Sequence, residues 1–86
     1  MKVTKTKTGS TVYTKGNKIH REDGPAIIDF DGGKTWMIEG TRHRIGGPAI
    51  TETDGTKEYW VRGKLIAYSL PSPWKNWITS IIYDHT

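Results

Sequence analysis

Three histidines are the residues of this sequence best suited to bind a metal ion or to move a proton. His20 and His43 lie 23 residues apart and each precedes an arginine, whereas His85 is close to the end of the chain. The chain has no cysteine, so a tetrahedral zinc site would need further ligands such as Asp23 or Asp29. The repetition favours a structural role instead, in which each imidazole and its arginine bond turn carbonyls or carboxylates. We therefore predict no metal and no cofactor.

Two pairs of neighbouring carboxylates are the remaining candidates for acid–base catalysis. Asp29 and Asp31 form one pair, but Asp31 precedes a glycine and is typical of a turn. The pair Glu22-Asp23 also fits a turn, and no serine–histidine–aspartate order is discernible. Residues 32–35 contain glycine, lysine and threonine but lack the spacing and the following helix of a phosphate-binding loop. The sequence predicts a protein that is not an enzyme.

Size and composition restrict the class of protein. The chain has 86 residues with 13 Lys/Arg and 9 Asp/Glu, a net charge of +4, and 34% hydrophobic residues. This length predicts a single domain over residues 1–86 with a thin core. No apolar run reaches the roughly 18 residues of a membrane span, and no disulfide framework exists. Ten glycines and nine aromatic residues favour a turn-rich β-protein. We expect a cytoplasmic location and no membrane partner.

An internal repeat of 23 residues organises the chain. The segment from His20 to Ile27 returns as His43 to Ile50, and the other shared positions keep the same spacing. Only the glycines Gly16 and Gly40 are 24 residues apart. The structural positions of the repeat are Tyr13, His20, Gly24, Pro25, Asp31, Gly32, Trp36, His43, Gly47, Pro48, Asp54, Gly55 and Tyr59.

Each repeat predicts two strands and two turns. Asp31-Gly32 supplies hairpin chemistry, and alternation in the next strand places Trp36 and Ile38 on one face. Met37 and Trp60 then lie on the opposite face. The predicted fold class is mainly β: an antiparallel meander of hairpin repeats over residues 1–68, joined by one C-terminal α-helix packed on a face, an α+β arrangement.

The predicted helix covers residues 72–83. Ser72 is a suitable N-cap and Pro73 a suitable first helical residue. An apolar stripe follows at helical spacing, formed by Trp74, Trp77, Ile78, Ile81 and Ile82. We expect this stripe to cover the sheet and to supply much of the core, the alternative being insertion into a partner's groove.

Positive charge is concentrated at the N-terminal end. Residues 1–21 contain six bases and no acid, namely Lys2, Lys5, Lys7, Lys15, Lys18 and Arg21. Such a cluster indicates either an electrostatic contact surface or an edge strand that lysines protect from pairing. Together with Met37 and Trp60, these bases are the candidate residues for binding a partner or a nucleic acid.

The signature His-Arg-Glu-Asp-Gly-Pro-Ala at residues 20–26 resembles that of MORN-like repeat proteins, which are frequent in bacteriophages and giant viruses. The resemblance covers roughly residues 9–68. It implies a meandering sheet with aromatic ladders, no enzymatic activity, and, for a phage protein, the cytoplasm of a bacterial host. This chain departs from the pattern at Ile45-Gly46, and the third unit lacks the signature.

The resulting functional expectation is a small phage-type accessory protein. We expect it to bind a host defence protein and to inhibit or modulate it by steric occlusion, with electrostatic steering by the basic N-terminal strand. One alternative is an RNA- or DNA-binding protein that uses the same strand and exposed aromatic residues. The other is a homo-oligomeric structural protein, such as a homodimer paired through a sheet edge.

Overall fold

A computed structural model describes residues 1–70, which form an antiparallel meander sheet and contain no helix. The mainly β prediction is confirmed, whereas the helix predicted for residues 72–83 lies outside the described residues. The strands are β1 (Lys2–Lys5), β2 (Thr11–Lys15), β3 (Lys18–Ile19), β4 (Ile27–Ile28), β5 (Lys34–Thr35), β6 (Met37–Ile38), β7 (Thr41–Arg42), β8 (Ile50–Thr51), β9 (Lys57–Val61) and β10 (Lys64–Ser69).

The central strands of the meander are interrupted by outward loops. The main sheet runs in the order β1-β2-β4-β5-β8-β9-β10, and β3 pairs with β2 beside β4. Strands β6 and β7 form a separate two-stranded sheet. The Tyr13 N–H donates to the Ala26 carbonyl at 2.8 Å, and the Tyr13 carbonyl accepts from the His20 N–H at 3.0 Å. One residue thus bonds both sides of the gap between β3 and β4, so residues 21–25 leave the ladder with β2 as a loop, and the Arg21 N–H donates instead to the Met37 carbonyl at 3.0 Å. Trp36 bonds Ala49 and His43 in the same way, which releases residues 44–48.

Three-residue turns close one end of the sheet. In the middle unit the Asp29 N–H donates to the Gly33 carbonyl at 2.8 Å, and the Gly32 N–H donates to the Asp29 carbonyl at 2.9 Å. Gly32 has a φ of +98°, the left-handed conformation that completes a type I turn with a glycine bulge. The turns at Gly9 and Gly55 repeat this geometry with φ values of +94° and +96°.

Two-residue turns close the other end, and they explain the irregular glycine spacing. Glu39 and Gly40 have φ values of +48° and +79°, the pattern of a type I′ turn. In the first unit the turn between Lys15 and Lys18 has the same length, but only its first residue, Gly16, has a positive φ. This is the pattern of a type II′ turn, which requires glycine one position earlier. The 24-residue spacing therefore reflects a change of turn type within hairpins of equal length.

The outward loops are held by arginine. The Arg21 Cζ atom lies 4.0 Å from the centre of the Tyr13 ring, and its Nη1 donates to the Pro25 carbonyl at 3.2 Å. A Cβ atom at Gly24 would lie 2.7 Å from the same Cζ, so any larger residue would have to displace the guanidinium. Arg44 repeats the arrangement over Trp36, at 3.9 Å from the ring centre. The signature arginine, glycine and proline therefore form one interlocking unit.

The third unit shows the fold without this signature. Ala67 stands one repeat after Arg44, and β10 continues as a six-residue strand paired with β9 in place of an outward loop. A single register shift between Leu65 and Ala67 is all that remains of the interruption. The loop thus forms where arginine and glycine are present.

Few side chains within residues 1–70 are buried. Ala26 and Ala49, the last residues of the two signatures, have 0% exposure and are the only buried apolar residues of this region. The polar residues His20 and Ser10 are also buried. Backbone ladders and arginine–aromatic stacks therefore carry much of the stability of this part of the chain.

Substitution of Gly24 tests the arginine lock, by which we mean the stack of Arg21 on Tyr13 above Gly24. We expect Gly24→Ala to displace the Arg21 guanidinium from the Tyr13 ring and the Pro25 carbonyl, lowering the free energy of unfolding by about 1–3 kcal/mol. Urea denaturation measures the change. The matched control is the same substitution in an Arg21→Ala background, where the clash is absent. An equal cost in both backgrounds would contradict the lock.

Candidate functional site

The two repeated histidines organise turns. The Nδ1 atom of His20 accepts a hydrogen bond from the Glu39 N–H at 2.9 Å, and Nδ1 of His43 accepts one from the Arg62 N–H at 2.9 Å. Glu39 and Arg62 are the first residues of the two type I′ turns and have φ values of +48° and +51°. Each imidazole therefore fixes the turn of the following hairpin. A structural role was expected, but the principal partner is a backbone donor, not a carbonyl or carboxylate.

These contacts define the tautomer of each neutral imidazole ring. Because Nδ1 accepts a hydrogen bond, the neutral ring carries its hydrogen on Nε2. His20 is 3% exposed, and its Nε2 lies 3.5 Å from the Glu22 carboxylate. Residues 1–70 contain no group of three or more histidine, cysteine, aspartate and glutamate side chains that could hold a metal ion.

One face of the sheet carries the repeated aromatic residues. Val3 lies opposite Tyr13 in the ladder, and strand alternation places Tyr13, Trp36 and Tyr59 on the same side. We call this side the aromatic face. It also carries Arg21 and Arg44, which stack on the first two rings.

Six lysines of the strands share the aromatic face. The register places Lys34 beside Trp36, Lys57 beside Tyr59, and Lys64 opposite Val61 on this face. The other three are Lys5, Lys15 and Lys18. The only acidic residue inside a strand of the described region, Glu58, lies on the opposite face. The aromatic face is therefore basic from one edge of the sheet to the other, although the outward loops add Glu22 and Asp23.

The opposite face carries the two non-basic candidate residues. Met37 pairs with Arg42, and the Arg42 Cζ lies 4.9 Å from the centre of the Trp60 ring. The Trp60 Nε1–H donates to the Glu58 carboxylate at 2.8 Å. Met37 and Trp60 thus lie across the sheet from most of the lysines.

The six N-terminal bases do not form one cluster. Lys5, Lys15 and Lys18 lie on the aromatic face, but Lys2 pairs with Thr14 on the opposite face. Lys7 is in a turn, outside the strands. Arg21 is held by its stack and by a bond from Nε to the Asp23 carboxylate at 3.2 Å.

Sequence reasoning missed the lysines of the later units. The part of the chain after residue 21 has a negative net charge, so a count of charges did not single out its lysines Lys34, Lys57 and Lys64. Their signal was positional, because Lys34 and Lys57 each stand two residues before an aromatic residue of the repeat.

The turn aspartates serve the backbone. Asp31 Oδ1 accepts from the Gly33 N–H at 3.1 Å, and Asp54 Oδ1 accepts from the Thr56 N–H at 2.8 Å. The Thr56 backbone bond, followed by the Thr56 hydroxyl, holds the pKa of Asp54 below its ordinary value of 3.8. Both carboxylates thus have the local role that the repeat predicts for them.

Comparison with protein-family models, with curated proteins and with solved structures finds no match to this chain. No helix within residues 1–70 is long and apolar enough to cross a membrane. The geometry of the described region is therefore the basis for assigning a function.

Paired substitutions of His20 test its role. We expect His20→Leu to lower the free energy of unfolding by about 1–3 kcal/mol, because the Glu39 N–H loses its acceptor in a partly buried place. The matched variant His20→Asn keeps an acceptor close to the position of Nδ1 and should lose less. Urea denaturation compares the two variants, and equal losses would contradict the role.

The pKa of Asp54 is accessible to a carboxyl NMR titration. We expect a midpoint below 3.8, because backbone and hydroxyl donors of Thr56 stabilise the carboxylate. The stabilising effect is then complete above the ordinary pKa and is lost as the pH falls through the lowered one. Thr56→Val should leave most of the shift, since the larger cause is the backbone bond. A midpoint at or above 3.8 in the unmodified protein would refute the assignment.

Proposed function

We propose that this chain is a small, non-enzymatic binding protein of bacteriophage type, which docks its aromatic face on an acidic surface of a host protein. The observation that carries the proposal is the gathering of Lys5, Lys15, Lys18, Lys34, Lys57 and Lys64 on that face. A sheet that carries most of its positive charge on one face typically uses that face as a contact surface.

The lysines are free to meet a partner. Within residues 1–70 the one ion pair joins Arg21 to Asp23, and it involves no strand lysine. The carboxylates of a partner would therefore not have to displace carboxylates of the described region from these lysines. Electrostatic steering by such a face raises the rate of association and makes it dependent on salt.

The mechanism that suits this surface is occlusion. The histidines and turn aspartates of residues 1–70 are bonded to backbone groups, which supports a role in binding over catalysis. A sheet locked by arginine stacks is a rigid platform that loses little entropy on docking. Covering an acidic functional surface of a host protein then inhibits or modulates it.

The choice of a host protein rests on the resemblance to phage MORN-like repeat proteins. A phage-encoded chain acts in the cytoplasm of the infected bacterium, where a defence protein is the target that such an accessory protein would block. A nucleic acid is the competing ligand, because lysines suit phosphates and the ring of Tyr59, on which no arginine of the described region stacks, suits a base.

A capture experiment distinguishes these ligands. We expect the tagged chain to recover one protein from bacterial lysate in equal amounts with and without nuclease. Binding of that purified protein should then slow as salt is raised. Recovery that disappears with nuclease would assign the function to nucleic acid instead.

Charge reversal locates the contact. We expect Lys5→Glu with Lys18→Glu to reduce the association rate by at least about tenfold, because both residues lie on the aromatic face. The control, Lys2→Glu with Lys7→Glu, makes the same change in net charge at one residue of the opposite face and one residue outside the strands. Equal effects of the two pairs would contradict the assignment of the contact surface.

A further inference from the structure

The third aromatic ring of the aromatic face has no arginine on it. Arg21 stacks on Tyr13 at 4.0 Å and Arg44 on Trp36 at 3.9 Å. One repeat later the arginine position holds Ala67, which pairs directly with Tyr59 in the ladder. Within residues 1–70 no guanidinium lies over the Tyr59 ring. A methyl group cannot replace the cover that an arginine supplies in the other two units.

An apolar groove lies at this ring. Its volume is about 520 Å³, and its lining includes Ile45, Pro48, Tyr59, Val61 and Ile66. Ile45 is 73% exposed and Ile66 is 63% exposed, although both are large and apolar. Among the described residues that line the groove, Arg44 is the only charged one and none is a carboxylate. We call it the Tyr59 groove.

Two sequence differences show what kind of group the groove suits. Over Trp36, the corresponding cleft is lined by the acid Glu22 and the base Arg44. One repeat later these positions hold Ile45 and Ala67, so the acid and the base are replaced together. The change removes the carboxylate and makes the cleft more apolar, although Arg44 still borders it, so the matching occupant is an apolar side chain rather than a cation.

We propose that residues 71–86 of the same chain fill the Tyr59 groove, with a tryptophan of their apolar stripe over the Tyr59 ring. These sixteen residues follow directly after β10, whose Ile66 lines the groove. Fully extended they span roughly 50 Å, and as a helix about 24 Å. Strands of a sheet are only about 4.8 Å apart, so the segment reaches the groove in either form.

The opposite face is a poorer site for the same stripe. There the Trp60 indole is bonded to Glu58 at 2.8 Å and lies near Arg42. Covering these groups would remove a carboxylate and a guanidinium from water, which costs free energy. At the Tyr59 groove the Arg44 guanidinium is already stacked on Trp36, and no carboxylate of the described lining residues would lose water.

Attachment to the sheet also favours this segment over a second copy. A short tether gives an effective concentration in the millimolar range, well above micromolar protein in solution. The segment has one lysine, Lys75, and one acid, Asp84, so it has no net charge to oppose the basic face. The proposal concerns packing within the chain and does not depend on the proposed function.

NMR on the unmodified 86-residue chain tests the proposal. We expect nuclear Overhauser contacts between the Tyr59 ring or the Ile45 methyls and the indole of Trp74 or Trp77. Contacts of those indoles with Leu65 or Met37, which lie on the opposite face, would overturn the proposal, as would an absence of contacts. A sample of mixed isotope labelling identifies contacts between two copies, which would assign the groove to dimerisation instead.

Disulfide trapping gives a second test in a chain with no native cysteine. Ile45→Cys with Ile78→Cys should form an intramolecular disulfide under mild oxidation in most molecules, detected by mass spectrometry. The matched control, Leu65→Cys with Ile78→Cys, places the first cysteine on the opposite face and should remain largely reduced. Equal oxidation of the two variants, or disulfide-linked dimers in place of monomers, would overturn the proposal.

Discussion

The stack of an arginine on an aromatic ring, with a glycine beneath it, is the contact on which the two outward loops of the sheet depend. Arg21 and Arg44 each hold a five-residue loop against the sheet, so that two short strands align as one. The ring, the guanidinium and the glycine must all be present, because a Cβ atom at Gly24 or Gly47 would lie less than 3 Å from the guanidinium carbon. Where the arginine is absent, at Ala67, the strand runs on without a loop.

This contact compensates for a very small apolar interior. A sheet whose buried apolar residues in the described region are two alanines gains little from hydrophobic burial. Hydrogen bonds supply further stabilisation. The imidazoles accept bonds from the turns of the next hairpin, and the aspartates accept bonds within their own turns. Each hairpin is therefore tied to its neighbour by polar contacts, which leaves the lysines of the aromatic face available for a partner.

Much of this architecture was predictable from the 23-residue repeat. The repeat indicated the hairpins, the shared side of Tyr13, Trp36 and Tyr59, and the structural use of His20 and His43. It did not show the outward loops, because the repeated signature does not by itself reveal that Tyr13 and Trp36 each bond both sides of a gap. The basic face was missed for a different reason. Counting charges along the chain ignores strand alternation, which places Lys34 and Lys57 on the same face as Lys5.

The number of strands has a consequence for how copies of this sheet could meet. The described path has seven antiparallel positions, so β1 and β10 at its two edges run in the same direction. Consider two copies joined edge to edge, with both aromatic faces on the same side of the combined sheet. Pairing β10 of one copy with β1 of the next would then create a parallel ladder. Joining β10 to β10 by a two-fold rotation would keep the ladder antiparallel. The same holds for β1 with β1, so an odd number of strands favours contacts between like edges over contacts of β10 with β1.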